Sequence, residues 1–125
     1  MLTVQTYLDR SPIHGLGLYA AKRILRGTLV WTYQFPLDYR IPREGLLAKL
    51  PPMASLFAAR YWCFWGNEAL VNGDDARFMN HCDQPNVKAL EKGLTLDMVA
   101  VEDIEEGEEI TTDYRDFDDT WVTLS

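Results

Sequence analysis

Histidine and cysteine are scarce in this chain of 125 residues: His14, His81, Cys63 and Cys82 are the full set. No CxxC pair occurs, so a tetrahedral zinc site is short of ligands and no structural metal is expected. Two cysteines allow one disulfide but not a disulfide framework. No apolar run approaches the roughly 18 residues of a membrane helix. The opening Met1-Leu2-Thr3-Val4-Gln5-Thr6-Tyr7 lacks the charged start and apolar stretch of a signal peptide. Internal repeats, low-complexity stretches and a Gly/Ser-rich linker are also missing. These absences exclude a zinc module, a disulfide scaffold, a membrane span and a repeat array. They lead to the expectation of one soluble domain over residues 1–125, inside the cell and in the cytoplasm, with no membrane partner.

What is present is ordinary in bulk and uneven in charge. At 47% hydrophobic, 12% aromatic and 25% charged residues, the chain has the apolar surface to offset its ordering entropy, which excludes a disordered segment. Residues 1–60 hold eight Lys/Arg against three Asp/Glu, whereas residues 61–125 hold four against sixteen. The acidic second half repels a phosphate backbone and attracts basic ligands. No direct nucleic-acid partner is expected.

Leu2, Val4, Thr6 and Leu8 alternate as a strand would, and Ser11-Pro12-Ile13-His14-Gly15 reads as a turn before an extended run from Leu16 to Ala21. Arg26-Gly27 marks a turn ahead of the β-rich Thr28–Tyr33. From Arg43 to Trp65 the period changes: Leu46, Leu47 and Leu50 fit a short helix that Pro51-Pro52 breaks. Met53, Leu56, Phe57, Tyr61 and Phe64 fit a second helix with an apolar stripe. Val87–Glu91 and Leu94–Val101 flank Lys92-Gly93 as a tight hairpin. Glu105-Glu106-Gly107 turns into a last strand at Glu109–Tyr114, and the acidic ending carries Phe117 and Trp121. The pattern predicts a mainly β fold (β+α) of short strands with one helical insert over approximately 38–72.

Three segments hold residue types that packing alone explains poorly. In His14-Gly15-Leu16-Gly17-Leu18-Tyr19-Ala20, two glycines and a small residue allow a backbone to approach a ligand closely. A dinucleotide-binding reading fails, because no helix-forming sequence follows and no βαβ unit can be drawn. Arg77-Phe78-Met79-Asn80-His81-Cys82-Asp83-Gln84-Pro85-Asn86 crowds amide, imidazole and thiol groups beside apolar side chains. Asn suits recognition of a heterocycle edge, but also serves buried backbone in a tight loop. Gly107-Glu108-Glu109-Ile110-Thr111-Thr112-Asp113-Tyr114 ends an acidic strand on a tyrosine, which suits either a hydrogen-bonding group at a site or a core aromatic with a wet hydroxyl.

In this order and spacing, the three segments resemble the SET-domain protein lysine methyltransferases. The family pattern has a G-x-G-x-x-A-like segment, then R-F-[IM]-N-H-S-x-x-P-N, then G-E-E-[IL]-T-x-D-Y. Arg77 through His81, Pro85 and Asn86 match the middle motif, and Gly107 through Tyr114 match the last almost throughout. The resemblance runs from about Ser11 to Phe117. It implies a fold of small sheets with a C-terminal pseudoknot, and S-adenosylmethionine as methyl donor. It further implies that the backbone around Gly15 and Gly17 holds the methionine part with Leu18 lining that pocket, that Asn80 and His81 bind the adenosyl part, and that Leu16 and Arg77 also belong to the cofactor site. Tyr114 falls on the catalytic tyrosine, and Thr112 and Phe117 are candidates for the channel that admits a lysine from the opposite face; Tyr39, which opens the insert, is either a second channel hydroxyl or a plain core tyrosine. The implied partner is a Lys-rich protein or peptide.

Several residues depart from the family pattern. Cys82 replaces Ser, Thr112 stands where many members have Tyr, and Arg115 follows Tyr114 where Gly is common. No Cys-rich tail follows to form a zinc-bound flap, so Phe117, Trp121 or a second subunit of a homodimer would have to close the channel. The alternative reading is a catalytically silent module of the same fold that binds a basic partner.

Overall fold

Runs of β-branched and aromatic residues in this chain are short and soon meet a turn former, which holds every strand to five residues or fewer. The structure, a computed structural model, describes residues 1–124; Ser125, the last residue of the expected domain, lies outside the described residues. The elements are β1 (Thr6–Arg10), β2 (Leu16–Ala20), β3 (Leu29–Trp31), β4 (Tyr39–Pro42), α1 (Leu46–Lys49), α2 (Pro52–Tyr61), β5 (Cys63–Trp65) and β6 (Glu68–Val71). Then follow β7 (Asn80–His81), β8 (Val87–Ala89), β9 (Met98–Ala100), β10 (Glu109–Thr112) and α3 (Asp119–Leu124), with 3₁₀ turns at Asp75–Phe78 and Tyr114–Asp116. No helix among the described residues is long and apolar enough to cross a membrane.

The strands form three sheets, ordered β1-β2-β10-β7, β3-β9-β8 and β4-β6-β5. The first positions the site. β10 comes late in the chain yet lies between β2 and β7, antiparallel to β2 through Ile110↔Leu18 and parallel to β7 through Thr111↔Asn80 and Thr112↔His81. This is the crossing expected of a C-terminal pseudoknot. Asn86 fastens it: its Nδ2 donates to the Glu109 carbonyl at 2.8 Å, and its Oδ1 accepts from the Thr111 N–H at 2.9 Å. Leu18, Val30, Val87, Ile104 and Ile110 are fully buried beneath these sheets, and their burial is the main apolar contribution to stability.

Two expectations are corrected. The insert spans β4 to β6, close to the expected 38–72, but is not simply helical: β4, β5 and β6 give it a three-stranded sheet of its own. The helix stops at Tyr61 because Trp62 turns extended, and Phe64 is a buried strand residue paired with Ala69. Gly66, at φ +58°, makes the turn between β5 and β6. The tight hairpin at Lys92-Gly93 is instead a longer loop between β8 and β9, because Leu94 and Leu96 leave the ladder to enter the core. Cys63 and Cys82 are both free thiols.

Candidate active site

The three sequence segments meet at the β2–β10–β7 seam. Asn80 is buried there, and its single amide nitrogen lies within reach of three acceptors. These are the His14 carbonyl at 3.1 Å, the Leu16 carbonyl at 3.2 Å and Glu109 Oε2 at 2.9 Å. The Ser11 hydroxyl donates to the same Glu109 carboxylate at 2.8 Å. Asn80 thus ties the glycine segment to the last motif. The two glycines differ in purpose. Gly15, at φ +43°, lines a cavity. A Cβ on Gly17 would sit 2.5 Å from Glu109 Oε2 and 2.9 Å from Ser11 Cβ, so this position permits packing within the chain.

That cavity is basic. Arg10, Arg60 and Arg77 line it together with His14, Gly15, Leu16, Asn80, His81 and Tyr114. A second cavity, mostly apolar, lies alongside, with Trp31, Leu70, Met79, Leu94, Met98, Thr112 and Phe117 in its wall. Ala59, Arg60, Tyr61, Arg77, Tyr114 and Trp121 belong to both walls.

Tyr114 sits on the 3₁₀ turn after β10. Its hydroxyl donates to the Met79 carbonyl at 2.5 Å, and its backbone N–H donates to His81 Nδ1 at 3.1 Å. An accepting Nδ1 places the His81 proton on Nε2, which faces Asp83 Oδ1 at 2.8 Å. Burial, reinforced by the fields of Cys63, Asp118 and Glu109, pushes the Tyr114 phenol well above its ordinary range. It is a neutral donor, not a base. Burial likewise pushes the Cys63 thiol up to about 12, which leaves it inert. Arg115 grips Asp113 through two contacts of 2.9 Å, and this hydrogen bonding holds the Asp113 carboxyl below the usual carboxylate range.

Of the residues expected at the donor side, Gly15, Leu16, Arg77, Asn80 and His81 line the basic cavity, whereas Gly17 and Leu18 do not. Leu18 is fully buried in the core because its place in β2 points it inward. Thr112 and Phe117 line the apolar cavity. Tyr39 reaches neither: pairing with Val71 at the end of β4 leaves it 41% exposed. Sequence reasoning missed Arg60 and Tyr61, which α2 delivers, and Glu109, whose place inside the last motif was a usable signal. Trp121 packs on His81 with ring centroids 4.6 Å apart and planes tilted by 30°, and meets Tyr114 edge-on at 5.0 Å.

A sequence model of the SET domain matches residues 15–115. The chain is 34% identical over 122 residues to histone-lysine N-methyltransferase 2D of Homo sapiens, an alignment covering 90% of this chain and 2% of that protein. It is 32% identical over 136 positions to histone-lysine N-methyltransferase trithorax of Drosophila melanogaster, covering 97% and 4% respectively. The chain therefore spans only a few hundredths of the length of these curated relatives.

Among solved structures, a Plasmodium falciparum protein assigned as a histone methyltransferase aligns with TM-score 0.62 at 19% identity, over 90% of this chain and 95% of that one. A humanized mutant of the Chaetomium thermophilum Polycomb Repressive Complex 2, bound to the inhibitor GSK126, aligns with TM-score 0.64 at 21% identity. That alignment covers 89% of this chain and 15% of that one. At these identities the two structures speak to the fold.

Proposed function

This chain belongs to the SET-domain family, and on that footing we propose that it is a protein-lysine methyltransferase in which residues 1–125 act as one unit inside the cell. The observation that carries the reading is Tyr114 in the wall shared by a basic cavity and an apolar one. Methyl transfer requires donor carbon, leaving sulfur and nucleophile in line, and holding that geometry is worth several kcal/mol of barrier. Two cavities meeting at one hydroxyl suit that demand.

The basic cavity suits S-adenosylmethionine. Arg10, Arg60 and Arg77 offer guanidinium groups to a carboxylate, and the Arg77 Nε is buried without a hydrogen-bond partner. Gly15 and Leu16 would flank the methionine part, and Asn80 and His81 the adenosyl part. When bound, the cofactor supplies an electrophilic methyl group on a sulfonium sulfur.

The apolar cavity would take the lysine side chain. A lysine amine with pKa near 10.4 must lose its proton to attack, at a cost of about 4.6 kcal/mol at pH 7. The apolar part of the wall, Met79, Met98 and Phe117, would lower that cost by disfavouring the ammonium. The Tyr114 oxygen, its own proton given to Met79, keeps lone pairs free to accept an amine N–H and orient the nitrogen. The acidic second half would draw in a Lys-rich partner. Because the curated relatives are histone-lysine methyltransferases, a histone-tail peptide is the first basic substrate to try.

Calorimetry with S-adenosylmethionine tests the cofactor site, and at 100 times its dissociation constant the fold gains about 2.7 kcal/mol. Transfer of labelled methyl to the peptide tests the reaction. Binding without transfer to any basic peptide would favour the silent binding module.

A further inference from the structure

Asp118 is the one carboxylate in the wall of the apolar cavity, and it is only 8% exposed. It caps α3, its Oδ1 accepting from the Thr120 N–H at 3.0 Å and the Thr120 hydroxyl at 2.5 Å. The Phe64 backbone N–H also faces it. Among the described residues no cation pairs with it: the nearby Arg43 is committed to Asp119 at 2.6 Å. A buried carboxylate costs stability unless a positive group or hydrogen bonds compensate it, and this one has hydrogen bonds alone. The second observation is Thr112. Its hydroxyl lines the same cavity, is 1% exposed for the residue as a whole, and has no hydrogen-bond partner. A buried carboxylate outside any ion pair and an unpartnered hydroxyl in one wall suit a guest that brings N–H groups, although Arg60 and Arg77 line the same cavity.

Building on the methyltransferase reading, we propose that Asp118 meets the substrate's ammonium group inside the apolar cavity and takes its proton before methyl transfer. One N–H bond of the ammonium breaks and its electron pair stays on nitrogen, while an O–H bond forms on Asp118. The amine lone pair then accepts the methyl group as the C–S bond electrons remain on sulfur. The product leaves as a methylammonium, and Asp118 returns its proton to solvent. In a low-dielectric cavity this exchange replaces an ion pair with two neutral groups, which relieves desolvation on both sides. Burial already holds the Asp118 carboxyl above its ordinary range. The groups facing it are Phe64 N–H and the Cys63 thiol on β5, Tyr114, Arg43, and Asp119 on its own helix, with Arg60 of α2 and Arg77 in the wall of the same cavity. Thr112 would accept a second N–H of the same amine.

Asp118→Asn tests this because Asn caps a helix about as well as Asp. The variant is expected to keep its melting temperature and its S-adenosylmethionine affinity, yet to methylate a histone-tail peptide about 100-fold more slowly at pH 7. The deficit should shrink about tenfold per pH unit as free amine becomes available from solution. A loss under about threefold, with a pH profile parallel to wild type, overturns the proposal.

If Asp118→Asn does not fold, the wild-type protein answers instead. The Asp118 carboxyl ¹³C resonance should titrate at a different pH with a lysine peptide bound than with the same peptide carrying norleucine, because only lysine brings an ionisable nitrogen against it. Equal titration with both peptides overturns the proposal. A wild-type protein that binds no S-adenosylmethionine overturns the methyltransferase reading itself, and this one with it.

Discussion

Along β10, Ile110, Thr111 and Thr112 are 0%, 8% and 1% exposed, while on α2 Met53, Leu56 and Phe57 are 76%, 64% and 48% exposed. The difference lies in what each is tied to. β10 is gripped on both edges by strands distant in sequence, and its backbone is laced to Asn86 and its Glu109 side chain to Asn80. Of α2 only Ala58 is buried, and the helix touches the site through its last turn, where Arg60 and Tyr61 reach both cavities. Long-range hydrogen bonds therefore fix the chemistry-bearing seam, and α2 reaches it only as a rim, through its last turn.

That contrast predicts a ladder of effects. Tyr114→Phe removes the hydroxyl at the junction of the cavities and should cost turnover about 100- to 1,000-fold, leaving S-adenosylmethionine affinity in place. Single-turnover methylation beside calorimetry separates the two, and turnover within about threefold of wild type would show that the hydroxyl does not act on the amine. Asn80→Ala should cost stability first. It leaves the His14 and Leu16 carbonyls without this donor and the Glu109 carboxylate with Ser11 alone, for about 2 kcal/mol and a fall in melting temperature on the order of 10 °C. An unchanged melting curve would mean that the seam is held by the backbone ladder alone.

How much of this was legible in the chain follows the same divide. The motifs at Arg77–Asn86 and Gly107–Tyr114 gave the fold, because their residues answer to hydrogen bonds that only one arrangement satisfies. Arg60 and Tyr61 were not legible as site residues: nothing local distinguishes a helix end that reaches a cavity from one that meets water. The stripe of Met53, Leu56, Phe57, Tyr61 and Phe64 misled about burial and about length. Helical spacing records which residues share a face, not whether anything covers that face, and pairing with β6 took Phe64 out of the helix. At Gly17 the glycine pattern looks alike whether a ligand or the neighbouring Glu109 occupies the space.

The smallest effect is the sharpest check on the insert. Leu56→Ser removes an apolar side chain from the open face of α2, so it should shift stability by no more than about 0.5 kcal/mol in a monomer. Met53, Leu56 and Phe57 form one apolar face, and such a face is also what two copies of a homodimer would bury. Sedimentation of wild type and variant, alongside urea unfolding at two protein concentrations, separates the cases. A stability loss well above 0.5 kcal/mol that grows with protein concentration would mean that a second copy covers α2. The insert would then be as firmly held as the seam, by an interface instead of by hydrogen bonds within the chain. A loss within the expected range at both concentrations keeps α2 as a free rim and leaves Trp121, packed on His81 and touching both cavities, as the part of this chain placed to close the site.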